Sequence, residues 1–101
     1  MNFKQLKKLY LESNNILDIK ILEKVKFDQL EILILSFNKI KNIDIFEHFY
    51  FKELKELNLS KNGISDIQVL EQVKFEKLEK LYLTGNNISN KKVKTKFNIT
   101  Y

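Results

Sequence analysis

The chain has 101 residues, which is enough for one small domain and excludes a multi-domain enzyme within this sequence. Apolar residues make up 44% and charged residues 31%, a balance typical of a chain that folds and stays dissolved. The absence of cysteine excludes disulfide frameworks, thiolate metal sites and a cysteine nucleophile. The formal net charge is +5, but four lysines lie in residues 91–101 without an acid, and no arginine occurs. This distribution disfavours nucleic acid as a partner.

The first residues contain no apolar stretch of the length that a secretory signal needs, and no run of 18 apolar residues follows. We therefore expect no membrane partner and a cytoplasmic location.

A period of 24 residues organises the sequence from Phe3 onwards without insertion or deletion. The recurring positions are Phe3, Phe27, Phe51 and Phe75; Leu6, Leu30, Leu54 and Leu78; Leu9, Leu33, Leu57 and Leu81; Leu11, Leu35, Leu59 and Leu83; Asn14, Asn38, Asn62 and Asn86; and Ile16, Ile40, Ile64 and Ile88. Such a period predicts stacked units that share one core.

Each unit reads F-x-x-L-x-x-L-x-L-x-x-N-x-I, with units starting at residues 3, 27, 51 and 75. This pattern resembles the leucine-rich repeat family, whose L-x-x-L-x-L-x-x-N-x-L core it repeats four times. The resemblance implies an α/β solenoid with a curved parallel sheet of four short strands on the concave face and short helices on the convex face. Residues 1–90 would form the array.

The residues themselves support one strand in each unit, because Leu9 and Leu11 alternate with polar neighbours at the period of a half-buried strand. The asparagine of each unit follows the strand, where the chain has to turn. We expect Asn14, Asn38, Asn62 and Asn86 to form a structural ladder whose side-chain amides satisfy backbone groups of neighbouring units.

The second half of each unit is predicted to be helical, because Ile19, Leu22 and Val25 recur in steps of three. Residues typical of helix N-termini come just before these segments: Asp18, Asn42, Asp66 and Asn90. Each unit is thus predicted to contain a strand, a turn and a short helix.

The two ends of the array differ from its middle. Only Met1 and Asn2 precede the first unit, so we expect its outer side to be uncovered. At the other end, Lys91 and Lys94 stand where earlier units have an isoleucine and a leucine, and Ile99 falls 24 residues after Phe75, at the predicted start of an abortive fifth unit. Residues 91–101 are therefore interpreted as a degenerate C-terminal cap or basic tail, with helix and strand both open.

The sequence offers little material for catalysis. His48 is the single histidine, and no serine or cysteine motif surrounds it. Gly63 and Gly85 are too few for a phosphate-binding loop, and the acids are scattered among lysines. We expect no enzymatic activity, no cofactor and no metal.

The residues between the buried leucines are predicted to point outwards from the strands. These columns are Lys8, Ile32, Glu56 and Lys80; Tyr10, Ile34, Asn58 and Tyr82; Glu12, Ser36, Ser60 and Thr84; and, at the turn, Ser13, Phe37, Lys61 and Gly85. Most are polar, but the second unit places large apolar side chains there. Strands about 4.8 Å apart would bring Tyr10 beside Ile34, and exposed apolar patches mark interaction sites.

The sequence therefore predicts a non-enzymatic module, such as an adaptor, that binds a protein partner through the concave sheet surface. The predicted partner-binding residues are Tyr10, Ile32, Ile34, Phe37 and Tyr82, with Glu56 and Asn58 as polar specificity groups. Two alternatives stay open: a structural segment that self-associates end to end through the uncapped first unit, and a fragment of a larger signalling protein whose catalytic domain lies elsewhere.

Overall fold

A single parallel sheet of five strands forms one side of the molecule in the computed structural model, which describes residues 3–101. Its strands, in spatial as well as chain order, are β1 (Lys8–Tyr10), β2 (Ile32–Ile34), β3 (Glu56–Asn58), β4 (Lys80–Tyr82) and β5 (Asn98–Thr100). The predicted α/β solenoid is confirmed, with five strands instead of four. Met1 and Asn2, which precede the first predicted unit, lie outside the described residues.

The strand register follows the 24-residue period through the first four strands. Leu9 pairs with Leu33, Leu33 with Leu57, and Leu57 with Leu81. The last step is different, because Leu81 pairs with Ile99 after only 18 residues. Ile99 thus occupies the column of the strand leucines, and the prediction that it starts a fifth unit in the phenylalanine column was wrong.

The shorter last step has a physical cause in the fourth unit. Residues 83–97 contain no helix, since Lys91 and Lys94 replace the apolar residues that anchor helices in earlier units. Val93, Phe97 and Ile99 still pack against the core, and the Lys94 backbone N–H donates to Glu71 Oε2 at 3.0 Å. The chain therefore returns to the sheet by a shorter route.

The helical segments are 3-10 helices at Lys20–Lys24, Asp44–His48 and Gln68–Glu71. A 3-10 helix has three residues in each turn, which matches the three-residue spacing of the apolar positions. In front of the first helix, Asp18 Oδ1 accepts a hydrogen bond from the Lys20 backbone N–H at 2.7 Å. The second and third helices have the same bond, and Asn90 makes it to Lys92 although no helix follows.

The apolar core fills the space between the sheet and the helices. The inward strand residues Leu33, Leu57 and Leu81 are completely buried, as is Phe46 of the second helix. The phenylalanines at the start of each unit continue this core as a ladder, with ring centroids 5.9 to 6.1 Å apart in successive pairs. Neighbouring units therefore share one continuous apolar interior.

The asparagine side chains tie each unit to the one before it. The Asn38 amide Nδ2 donates to the carbonyl oxygens of Leu35 in its own unit and Leu11 in the preceding unit, both at 3.0 Å. Asn38 Oδ1 accepts from the backbone N–H groups of Asn14 and Ile16, both at 2.9 Å. One buried side chain therefore satisfies backbone groups on two turns of the chain.

Two further asparagines repeat this arrangement along the stack. Asn62 Nδ2 donates to Leu35 and Leu59, and its Oδ1 accepts from the Ile40 N–H at 3.0 Å. Asn86 spans the third and fourth units in the same way. The Asn14 side chain is exposed, and among residues 3–101 it bonds only to carbonyls of its own unit.

We expect Asn62→Ala to lower the free energy of unfolding by about 3 kcal/mol, because it strands buried backbone groups without partners. Asn14→Ala is the matched control and should cost less than about 1 kcal/mol, since its side chain is exposed. Urea denaturation followed by circular dichroism measures both. Equal losses at the two positions would contradict a bridging role for the buried amide.

Candidate functional site

The outward side chains of the strands form one continuous surface, which we call the sheet face. One row consists of Tyr10, Ile34, Asn58 and Tyr82, paired residue by residue across β1 to β4. Tyr10 is 58% exposed and Ile34 is half-buried beside it. Tyr82 lies two strands beyond Ile34, so the aromatic residues stand on either side of the aliphatic one.

A parallel row lies two residues earlier on the same strands. It consists of Lys8, Ile32, Glu56 and Lys80, again paired in register. Ile32 and Ile34 together make β2 apolar on the outer side, while the flanking strands carry charged groups in this row. The sheet face therefore has an apolar centre on β2 with Glu56 next to it.

The amide of Asn58 is only partly occupied by its own molecule. Its Oδ1 accepts a hydrogen bond from the Ser60 backbone N–H at 3.0 Å. Its Nδ2 has no hydrogen-bond acceptor among residues 3–101, and the Glu56 carboxylate makes no ion pair within them. Both groups can thus meet polar groups from outside the molecule.

Ser36 differs from the outward position expected for it, because only 7% of the residue is exposed. Its carbonyl oxygen accepts from the Ser13 backbone N–H at 3.1 Å and from Asn38 Nδ2 at 3.3 Å. These bonds hold Ser36 within the turn, so it does not contribute to the sheet face.

The residue after Ser36 has an unusual backbone conformation. Phe37 has φ of +58°, and the same column holds Ser13, Lys61 and Gly85 at φ between +57° and +77°. A positive φ is unfavourable for a bulky residue, at about 1–2 kcal/mol relative to the right-handed region. Phe37 is nevertheless 58% exposed, so burial of its ring recovers only part of this cost.

Phe37 shares one edge of the molecule with three lysines, and we call this edge the turn edge, defined as residues 13–17, 37–41, 61–65 and 85–89. This edge contains Lys39, Lys41 and Lys61 and no acidic residue. Sequence analysis did not select these lysines as site residues. The signal in the sequence is the absence of acids from these four turn-edge segments, and it emerges only when the segments are aligned side by side.

The opposite edge contains the one histidine. His48 Nε2 lies 3.6 Å from Glu47 Oε1, and the imidazole is exposed. Nearby, the Tyr50 hydroxyl donates to Glu76 Oε1 at 2.9 Å, and this hydrogen bond raises the pKa of Tyr50 above its ordinary value. Neither contact places a nucleophile beside a base.

Within residues 3–101, no group of three His, Cys, Asp or Glu side chains is placed to hold a metal ion. No helix in the same part of the chain is long and apolar enough to cross a bilayer.

The in-register strands, the buried asparagines and the short helices define a repeat solenoid. A family profile described as leucine-rich repeats, two copies, matches residues 52–93. The predicted leucine-rich repeats are thus confirmed over residues 52–93, and β2 and then β1 continue the sheet beyond them in the same register. Proteins of this family are generally protein–protein interaction modules and typically non-catalytic. A search of curated proteins found no significant match to the chain.

We expect Phe37→Gly to leave the free energy of unfolding within about 1 kcal/mol of the wild type. The glycine relieves the positive φ while losing chain entropy and some ring contact. Phe46→Ala, a truncation of the completely buried phenylalanine, should cost about 3–5 kcal/mol in the same denaturation experiment. A loss above about 2 kcal/mol for Phe37→Gly would show that this ring is a structural residue.

Proposed function

We propose that the protein is a non-enzymatic recognition module, of the kind used as an adaptor, that binds a protein partner through the sheet face. The proposed contact residues are Tyr10, Ile32, Ile34, Phe37 and Tyr82, with Glu56 and Asn58 as specificity groups. The observation that carries this proposal is the exposure of Phe37 together with its positive φ. An aromatic side chain that is more than half exposed in a strained backbone conformation contributes little to folding, which favours a role in binding.

The surroundings of Phe37 support the same function. Ile34 lies three residues before Phe37 and is paired with Tyr10 across β1 and β2, so these two side chains form an adjacent aromatic–aliphatic pair. Tyrosine and phenylalanine are enriched at protein interfaces because they combine a large contact area with few rotatable bonds. A protein partner with a complementary apolar side chain would bury this group.

Glu56 and Asn58 provide polar selectivity in the proposal. They follow Ile32 and Ile34 in register on the neighbouring strand, so they border the apolar centre. A partner that buried this border without offering a donor to Glu56 or an acceptor to Asn58 Nδ2 would leave polar groups unpaired, at a cost of about 1–3 kcal/mol each.

We extend the proposal to the division of the chain into two parts and to its location in the cell. Residues 1–90 act as the repeat array and residues 91–101 as its cap, since β5 extends the sheet and Phe97 packs against the core. We propose a cytoplasmic location, which a cysteine-free chain permits because it requires no oxidising compartment.

Ile34→Glu should leave the protein folded and weaken partner binding at least tenfold, since it puts a charge into the apolar centre of the sheet face. Leu33→Glu, one residue earlier, should unfold the protein because that side chain has no exposure. Circular dichroism tests folding and affinity capture tests binding. If both variants unfold, the assignment of the two strand faces is wrong.

A photo-reactive phenylalanine analogue gives a positional test of the same site. Placed at Phe37 or Tyr10 it should cross-link one and the same protein from a cell extract. The matched control is Tyr50, which is 60% exposed compared with 58% for Phe37 but lies on the opposite edge. Equal cross-linking of that protein from Tyr50 would contradict the sheet face as the binding surface.

A second candidate function, self-association, is favoured by the outer side of the first unit. Phe3 is 41% exposed, whereas its counterpart Phe27 is 5% exposed. Leu6, Leu9 and Leu11 are also only partly buried. Asn14 Oδ1 accepts no hydrogen bond within residues 3–101, although this atom accepts from a neighbouring unit in the later asparagines.

If this surface drives self-association, the mass measured by light scattering should rise with protein concentration, and Phe3→Lys should abolish the rise. An exposed lysine would oppose stacking of two apolar surfaces while leaving the rest of the core intact. Lys4→Gln is the control next to it. A constant monomer mass over a range of concentrations would reject this candidate.

A further inference from the structure

We propose that the partner presents an acidic segment with an apolar side chain, and that Lys39, Lys41 and Lys61 on the turn edge recognise it around Phe37. This inference rests on the proposed function, because Phe37 is one of the proposed contact residues and also lies on the turn edge. The proposed function requires an apolar side chain in the partner, and we infer in addition that the partner carries negative charge beside it.

Two of the lysine side chains are held in place by glycines of the next unit. A Cβ atom at Gly85 would lie 2.9 Å from Cγ, Cδ and Cε of Lys61, so the lysine stem occupies the space that a side chain would need. The Lys41 stem lies beside Gly63 in the same manner, with Cγ at 3.5 Å from the corresponding position. Both stems therefore lie against the backbone of the next unit towards the C-terminus.

The backbone conformation alone does not explain the glycine at position 85. Ser13, Phe37 and Lys61 adopt a similar positive φ in the same column without being glycine. What distinguishes Gly85 is the lysine stem packed over it. A lysine stem packed in this way has less conformational entropy to lose when a ligand binds.

None of the three lysines forms an ion pair with a carboxylate among residues 3–101. The ion pairs among residues 3–101 join Lys77 to Glu53 and His48 to Glu47, and neither involves the turn edge. The turn edge itself contains no acid. Its charge is thus available to an anionic partner, and complementary charge adds both specificity and association rate.

The position of Phe37 favours an acidic protein segment over nucleic acid as the anionic partner. Its backbone N–H donates to the Ser60 carbonyl at 2.9 Å, which places Phe37 beside Lys61 in the neighbouring unit. An aspartate- or glutamate-rich protein segment can meet the lysines and also supply an apolar side chain for the ring. Nucleic acid fits less well, because the turn edge has one aromatic residue and no arginine for stacking or base contacts.

The probe for this inference is a fluorescent peptide with one phenylalanine flanked by several glutamates. The variant Lys39→Glu/Lys41→Glu/Lys61→Glu should bind it about tenfold more weakly than the wild type. The control variant Lys26→Glu/Lys52→Glu/Lys74→Glu changes the net charge equally at exposed positions outside the turn edge and should lose less than about twofold. In an NMR titration, the amides of residues 37–41 and 61–65 should shift first.

Competing ligands and outcomes separate this inference from the function on which it rests. Peptides with serine for phenylalanine or lysine for glutamate should bind more weakly than the probe. Equal losses in the two triple variants, no binding of the probe, or tighter binding of an oligothymidine or of phosphatidylserine vesicles would overturn the inference. If the inference fails while cross-linking from Phe37 and the effect of Ile34→Glu persist, the sheet-face function stands without an acidic partner.

Discussion

Each buried asparagine amide joins two turns of the chain that lie 24 residues apart. The carboxamide of Asn38 donates hydrogen bonds to carbonyls on both turns and accepts hydrogen bonds from two backbone N–H groups of the earlier turn. These backbone groups lie at the end of a strand, where the sheet ladder no longer supplies partners, and leaving them unpaired in the interior would cost several kcal/mol. The asparagine thereby sets the spacing and the register at which one unit meets the next.

The sheet face is a consequence of that register. Because Leu33 and its counterparts all turn inwards at the same point of each unit, the residues on either side of them turn outwards together. These outward positions have no packing requirement in common, so they can differ freely from unit to unit. Ile34 stands beside Tyr10 and Asn58 for this reason, and the contiguity of the apolar patch comes from the architecture of the stack.

The sequence alone predicts the parts of the structure that follow the 24-residue period. The four strands, their register and the position of the helical segments follow from columns such as Leu9 and Leu33. The phase of β5 did not, because counting from Phe75 assumes a full unit, whereas the loss of the helix shortens the last one. A period also carries no information on the turns that bury Ser36 and hold Phe37 at positive φ.

The packing of Lys61 over Gly85 could not be predicted from the sequence either, because it depends on the path of one long side chain.

The column of Ser13, Phe37, Lys61 and Gly85, all at positive φ, affects how such a protein can diversify. Serine, phenylalanine, lysine and glycine all occupy it with nearly the same backbone geometry, so the fold tolerates very different chemistry at this point of each unit. Evolution, or a designed library, could exchange these side chains and alter what the molecule captures while the stacked interior stays unchanged, provided that positions 61 and 85 change together, because the Lys61 stem fills the space of a Cβ at Gly85.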